Sequence, residues 1–414
     1  MAESPLFSHE GQIVVAPSLT TLRYRDLRLL SLATLVTGAA FLGERVALGW
    51  LLLDRTDSAL VVGLGVALSA LPNFLLGIPG GAITDRFDRR LLLRITSFIL
   101  AAATAGLGAI ALAGMLSVAG ILLFTFLSGA VRSLSQTVRQ AYAFDVVGPH
   151  QAVGGMAIVS LAQRSGGIAG ALATGEILVQ LGAGYAYVAI ALCHLAAFVF
   201  VLLARTRGQA APGQQPQLAE SVKEYVREVR GNSTLRALVF LTAAVEILGF
   251  SHQAVLPSLA RDVLHLDAAG LGLLTALGSL GGFVSVLLVT LRPEPVHKGW
   301  FFMGVLLGFG LALVMLGASS SLVVALIGVG VVSALAALSD LLSQTLIQSS
   351  VPNELRGRAM GSWMLAIGFG PVGHLQIGAV AVSLGTATAL ITNGLFLILL
   401  AVVVLVWTPQ LRKL

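Results

Sequence analysis

The chain has 414 residues, 57% of them hydrophobic and only 11% charged, against roughly a quarter charged in soluble domains. That balance excludes an ordinary soluble enzyme, which could not hide so much apolar surface, and it excludes a disordered chain, which needs the reverse. One cysteine, Cys193, excludes an internal disulfide and a cysteine-based metal cluster.

A membrane-crossing helix needs about 20 mainly apolar residues. Runs of that kind predict twelve helices, near 29–53, 59–83, 91–114, 118–143, 152–181, 185–204, 234–260, 268–291, 299–318, 321–349, 356–384 and 386–407. The polar first 28 residues end in Arg23, Arg25 and Arg28. The apolar run after them is too long for a signal peptide and has no small-residue cleavage site, so it reads as an uncleaved helix. Between the sixth and seventh runs lies a long polar stretch. Gly208, Pro212, Gly213 and Pro216 read as a flexible linker, and Lys223 to Glu228 as an amphipathic helix on the membrane surface. The expected organisation is a six-helix bundle over 1–204, a linker over 205–233 and a second six-helix bundle over 234–414.

The two halves look like copies. Gly63-Leu64-Gly65 recurs as Gly270-Leu271-Gly272 at an offset of 207, and Ser135-Gln136-Thr137 recurs as Ser343-Gln344-Thr345 at an offset of 208. Parallel six-helix repeats about an axis along the membrane normal are a transporter design. The expected fold class is therefore an all-α membrane protein of twelve transmembrane helices in two pseudo-symmetric six-helix bundles. Of the 25 lysines and arginines, Arg55 and Arg261 are assigned to odd-to-even loops and Arg45, Arg132 and Arg164 to spans. The remaining 20 are assigned to the termini, the even-to-odd loops and the span ends beside those loops. This asymmetry puts both termini in the cytoplasm, with the chain in the cytoplasmic membrane. The net charge of +6 follows from it and implies no nucleic-acid partner.

The loop after the second span reads Gly81-Ala82-Ile83-Thr84-Asp85-Arg86-Phe87-Asp88-Arg89-Arg90. It resembles the signature loop of the major facilitator superfamily, with Asp88 where a second glycine is usual. The equivalent stretch after the eighth span, Arg292 to Lys298, keeps only basic character. Asp57-Ser58-Ala59, Arg139-Gln140-Ala141 and Pro352-Asn353-Glu354-Leu355-Arg356-Gly357-Arg358 are similar to exporters of the enterobactin-exporter and macrolide-efflux kind. The resemblance implies a monomeric transporter working by alternating access. Gly81, Asp85, Arg86, Arg89 and Arg90 would then form a cytoplasmic gate, with Asp145 a candidate acid across the gap. In span five, Gly166 and Gly170 lie on a small-residue stripe with Ala162 and Thr174, which permits tight packing. Gly170-Ala171 stands where the family's exporters have Gly-Pro, and Gly370-Pro371 in span eleven resembles its twin.

A charge at mid-membrane costs at least about 2.5–3.5 kcal/mol, so each one is a functional candidate. The resemblance implies that spans one, four, seven and ten line a central cavity. Each carries a charge: Glu44 and Arg45, Arg132, Glu246 and Asp340. Desolvation disfavours an ionised carboxylate, so Glu44 or Glu246 could carry a coupling proton; the alternative is a static ion pair, such as Glu44 with a neighbouring base. Arg132 and Asp340 stand 208 residues apart and are repeat mates, so they could bridge the halves or pair separately within each. Phe41, Trp50, Phe250 and Trp363 could face cargo. His194 and His374 read first as helix-to-helix hydrogen bonders.

Gly368-Phe369-Gly370-Pro371-Val372-Gly373 fits a dinucleotide fingerprint but has no strand before it, so it is rejected. No phosphate loop, zinc motif or nucleophile elbow is present. The sequence thus predicts no enzyme, cofactor or metal. It predicts a proton-coupled exporter of small amphipathic molecules, drugs or siderophore-like compounds, with protons, cargo and the bilayer as partners. An uptake symporter, a lysophospholipid flippase and a non-transporting receptor are the alternatives.

Overall fold

The computed structural model describes residues 19–148, 151–208, 227, 231–291, 297–351 and 356–408. These form twelve long helical spans, in chain order α1 Arg25–Thr56, α2 Ala59–Arg86, α3 Arg89–Leu112, α4 Val118–Val147, α5 Ala152–Gln180 and α6 Ala183–Leu203. Then come α7 Ser233–Val263, α8 Ala268–Thr290, α9 Lys298–Ala318, α10 Leu322–Ser349, α11 in two pieces, Arg356–Ile367 and Gly370–Leu384, and α12 Thr386–Trp407. No strand occurs among the described residues. Eleven spans are apolar enough to cross a bilayer by composition alone. The twelfth, α5, is diluted by Gln163, Arg164 and Glu176. All of the linker's surface helix but residue 227, most of the loop before α9 and Pro352 to Leu355 lie outside the described residues.

Two spans depart from plain α-helix. In α11 the helix breaks at Gly368 and Phe369. Pro371 has no N–H to offer the Ile367 carbonyl four residues back, and its ring crowds that carbonyl. In α7, Glu246–Phe250 and Leu259–Val263 are π-helical turns. Such turns concentrate at functional sites, and the first begins at an intramembrane acid.

The repeat is visible in the backbone. Asp57 and His265 both adopt left-handed conformations, φ 50° and 54°, in the loop or the turn ahead of α2 and α8, and they are 208 residues apart. Some helix starts are capped by short polar side chains that accept from otherwise unpaired backbone N–H groups. Ser117 caps α4, Asn232 caps α7 and Asp267 caps α8.

Buried apolar residues fall mainly into separate clusters for each half. Leu27, Val138, Tyr142 and Val201 form one N-terminal cluster; Leu52, Val62, Ile121 and Tyr187 form another. Leu238, Phe302, Phe309, Leu313 and Leu397 belong to the C-terminal one. The outer surface is apolar, with Phe98, Leu123, Leu192, Val323 and Phe396 exposed. A lipid environment accounts for that surface, whereas water would not.

Glycine sets the closest helix contacts. The small-residue stripe of α5 lies on α1: a methyl added at Gly166 would stand 1.8 Å from the Leu35 carbonyl oxygen, and one at Gly170 would stand 2.1 Å from that of Ala39. Between the halves, Gly63 and Gly378 bring α2 onto α11, and Gly175 and Gly272 bring α5 onto α8. By contrast, nothing lies within 4 Å of a methyl added at Gly106 or Gly304. Gly166→Ala should therefore lower the yield and melting temperature of purified protein, while Gly106→Ala and Gly304→Ala leave them unchanged or slightly raised. Equal behaviour of all three would contradict this packing.

Candidate functional site

The site lies between the halves, where polar side chains from α1, α2, α4, α5, α7, α10 and α11 meet in three adjoining cavity lobes. One, of about 280 Å³, is lined by Arg45, Arg164, His252, Gln253 and Asp340. A second, of about 200 Å³, is lined by Phe41, Asn73, Arg132, Gln136, Arg139 and Gln163 and also by Arg45. A third, of about 260 Å³, is lined by Phe74, Glu246, Phe250, Asp340, Trp363 and Met364. Arg45 is common to the first two lobes, Asp340 to the first and third, and Asn73 and His374 to the second and third.

Glu44 is 6% exposed and fully engaged. Arg132 Nη2 stands 2.9 Å from its Oε2 and His194 Nε2 stands 3.1 Å from its Oε1. The cluster ties α1 to α4 and α6 inside the N-terminal half. The anticipated bridge between Arg132 and Asp340 is thus not made in this conformation: Arg132 turns to the buried carboxylate of its own half, whose charge would otherwise be uncompensated. Asp340 instead accepts a hydrogen bond from Gln344 Nε2 at 3.3 Å. Repeat mates do meet across the axis, but they are a different pair. Arg45 donates to Gln253 Oε1, 208 residues away.

Phe41 lies under both guanidinium groups, with Arg132 Cζ 4.9 Å and Arg45 Cζ 5.9 Å from the ring centre. Such stacking favours a cation over the ring face. Arg139 is 7% exposed, and its Nη1 meets no hydrogen-bond partner among the described residues. The Glu246 carboxylate has no hydrogen bond or ion pair among the described residues. Its Oε2 would stand 3.4 Å from a methyl added at Gly370, so this glycine beside Pro371 leaves room for the acid.

Of the four aromatic candidates, Phe41, Phe250 and Trp363 line the lobes, whereas Trp50 packs against the apolar core. His194 is a helix-to-helix hydrogen bonder. The His374 ring lines two lobes, and its Nδ1 meets no hydrogen-bond partner among the described residues. Glu176 accepts from Gln180 at 3.0 Å, away from Arg164.

The signature loop is occupied within its own half. Arg89 pairs with Asp145 at 2.6 Å, joining α3 to α4, so this contact spans no gap between halves. Arg90 and Arg94 donate to backbone carbonyls at the C-terminal end of α6, among them Arg205 and Leu202, each at 2.8 Å. Cations there complement the helix dipole. Asp88 caps α3, accepting from the backbone of Arg90 at 2.8 Å and Leu91 at 3.2 Å, which gives a physical reason for a carboxylate at this position. Arg86 is exposed, and nothing stands within 4 Å of a methyl added at Gly81. The Asp85 side chain lies outside what the structure describes.

The sequence profile of the family described as transmembrane secretion effector, a branch of the major facilitator superfamily, matches residues 16–414. The chain belongs to this family. Among its relatives, the "Enterobactin exporter EntS" of Shigella flexneri is 27% identical over 372 residues, covering 86% of this chain and 85% of that one. The protein of the same name from Citrobacter koseri is 26% identical over 373 residues, covering 86% of each. Solved structures share the fold. A "peptide transporter POT in complex with sulfate" superposes with a TM-score of 0.75 at 14% identity, covering 94% of this chain and 95% of that one. A "D-xylose-proton symporter" superposes at 0.72 with 15% identity, covering 95% and 99%. The chain is therefore an integral membrane transporter and not an enzyme.

Three features of the cavity are not prominent in the sequence. Arg139 sits two helical turns beyond Arg132 and reads there as one of the topology-setting charges; the structure buries it in the cavity wall. Gln253 carries no charge, yet the 208-residue offset that links Arg132 to Asp340 also links Arg45 to Gln253. Asn73 reads as an ordinary polar interruption of α2.

The Glu44–Arg132 pair carries a stability test. Removing one member of a buried pair costs about 3–5 kcal/mol, because the other charge is left uncompensated. Glu44→Gln and Arg132→Gln should each lower the melting temperature clearly, and the double variant should recover much of the loss. Additive losses in this thermal-melt cycle would mean that the pair is not coupled.

Proposed function

We propose that the protein is a secondary active exporter of small amphipathic molecules that exchanges them for protons by alternating access. The observation that carries this reading is Glu246, a carboxylate deep in a membrane-spanning helix that faces a cavity with no cationic partner. Asp340 lines the same lobe, and two carboxylates that share an apolar wall are costly to ionise together. A proton held there is exchangeable with cargo. Glu44, by contrast, is held by Arg132 and His194 and serves the scaffold in this conformation.

The contacts named between the halves favour one conformational state. Arg261 donates to Asp57 and to the Leu53 carbonyl oxygen, and Gly49 packs on Pro257. With the Gly63, Gly378, Gly175 and Gly272 approaches, these lie toward the end away from the termini. The signature loop at the other end is engaged with its own half, and Gly81 faces open space. If the lysine and arginine bias sets topology, this is the inward-facing state. Closure of the cytoplasmic side would then bring Gly81, Asp85 and the arginines of the signature loop against the C-terminal half. A proton arriving from outside would load Glu246 and displace cargo, and its release inside would let the next molecule bind. The exporter direction rests on the relatives named as enterobactin exporters.

The test is pH-gradient-driven uptake of a panel of lipophilic dyes and antibiotics into inside-out vesicles. Wild-type protein should accumulate at least one compound, and dissipating the gradient should abolish the accumulation. Glu246→Gln should reduce gradient-driven accumulation at least tenfold while gradient-independent exchange persists. Movement unaffected by the gradient would overturn proton coupling. No movement of any compound with folded protein present would overturn the broad exporter reading.

A further inference from the structure

The walls of the cavity carry opposite charge, and the two charges do not neutralise each other. The second lobe is lined by Arg45, Arg132 and Arg139 and by no acid. Glu44, behind it, compensates only Arg132. Arg45 is satisfied by a neutral amide, and Arg139 Nη1, in a side chain more than nine-tenths buried, has no partner among the described residues. Two guanidinium charges are therefore uncompensated on the N-terminal wall. The third lobe is lined by Glu246 and Asp340 and by no cation, among the aromatic and apolar side chains of Phe74, Phe250, Trp363 and Met364. Glu246 therefore has no counter-charge on the C-terminal wall, and Asp340 feels only Arg164 across the first lobe. Arg164 lines the first lobe with Asp340 but forms no ion pair with it among the described residues. Asn73 and His374 stand at the seam between the cationic and acidic lobes.

A lipophilic cation would satisfy only the acids and would leave Arg45 and Arg139 buried without counter-charge, while an anion would do the reverse. Each uncompensated charge in such a site is expensive. We infer that the cargo is a zwitterionic amphiphile, its acidic group seated on Arg45 and Arg139 and its basic group between Glu246 and Asp340 among the aromatic side chains. The inference rests on the exporter reading and names the substrate class for it. It also fits proton exchange. A proton on Glu246 removes the counter-charge of the basic group and loosens the cargo at one end only. Zwitterionic drug-like amines and zwitterionic lysolipids share this chemistry.

The test measures binding to the full chain in nanodiscs, with probes that differ in one charge. Norfloxacin carries a carboxylate and a protonated piperazine. Its methyl ester keeps only the base, and its N-acetyl derivative keeps only the acid. Norfloxacin should bind at least tenfold more tightly than either derivative. Arg139→Gln should reduce norfloxacin affinity to that of the ester and leave the ester unchanged. Glu246→Gln should weaken norfloxacin and the ester and leave the N-acetyl compound unchanged. Arg139→Gln should also melt no lower than wild type, since it removes an unpaired buried charge, so lost binding cannot be ascribed to lost folding. Lysophosphatidylethanolamine and lysophosphatidic acid, added as competitors, separate the sources. Displacement by the former alone would support a zwitterionic cargo and assign it to lipid. Displacement by neither, with tight norfloxacin binding, would support it and assign it to drug-like molecules. Equal affinity for norfloxacin and its ester, unchanged by Arg139→Gln, would overturn the inference. So would failure of every probe to bind in protein that still moves dyes in vesicles, and the exporter reading would then stand. Failure of the dye assay as well would remove that reading too.

Discussion

A charge inside a bilayer must be paired or must face a water-filled space, because hydrocarbon offers neither counter-ions nor hydrogen bonds. In this protein Glu44 meets that constraint by pairing, and its choice of partners shapes the rest of the cavity. By taking Arg132 and His194, it ties α1 to α4 and α6 within the N-terminal half. It also leaves Arg45, Arg139, Glu246 and Asp340 with no ion-pair partner among the described residues. Together with Arg164, those four line the cavity from opposite walls.

The scaffold around the cavity is built for close approach without polar adhesives. Glycine and small residues let α5 lie on α1 within the N-terminal half and let α2 meet α11 and α5 meet α8 between halves. Van der Waals packing is the main attraction available to such helices in lipid. It is short-ranged, so small displacements lose it. That property would suit the proposed alternating access, in which the halves separate at one end and close at the other. The helix break at Gly368 and Phe369, just ahead of Gly370-Pro371, and the π-helical turn beginning at Glu246 sit face to face in the C-terminal half. The two irregular elements thus frame the acid assigned to proton exchange.

Most of the fold was legible in the sequence because lipid makes hydropathy an almost direct readout of helix position. The twelve expected spans lie within a few residues of the twelve observed, and the 208-residue offset reappears in the matched left-handed residues Asp57 and His265. What hydropathy could not show was pairing. Glu44 and Glu246 look equivalent as intramembrane acids, and only tertiary structure brings Arg132 to one and leaves the other bare. Arg132 and Asp340 look like partners by symmetry, but symmetry fixes equivalent positions and does not decide which mates touch. Arg139 was hidden by its place near a helix end, where arginines usually mark topology. Asp88 was visible as a departure from a motif, and its capping role needed the geometry of the α3 start.

The central claim is a division of labour between two acids: Glu44 holds the scaffold and Glu246 carries the proton. The most direct measurement is infrared difference spectroscopy of the purified protein through a pH titration, following the carbonyl stretch of protonated carboxyl groups. The account predicts a titrating band that disappears in Glu246→Gln and survives in Glu44→Gln. A band that survives in Glu246→Gln and disappears in Glu44→Gln would contradict it, and the coupling proton would then belong to the cluster with Arg132 and His194.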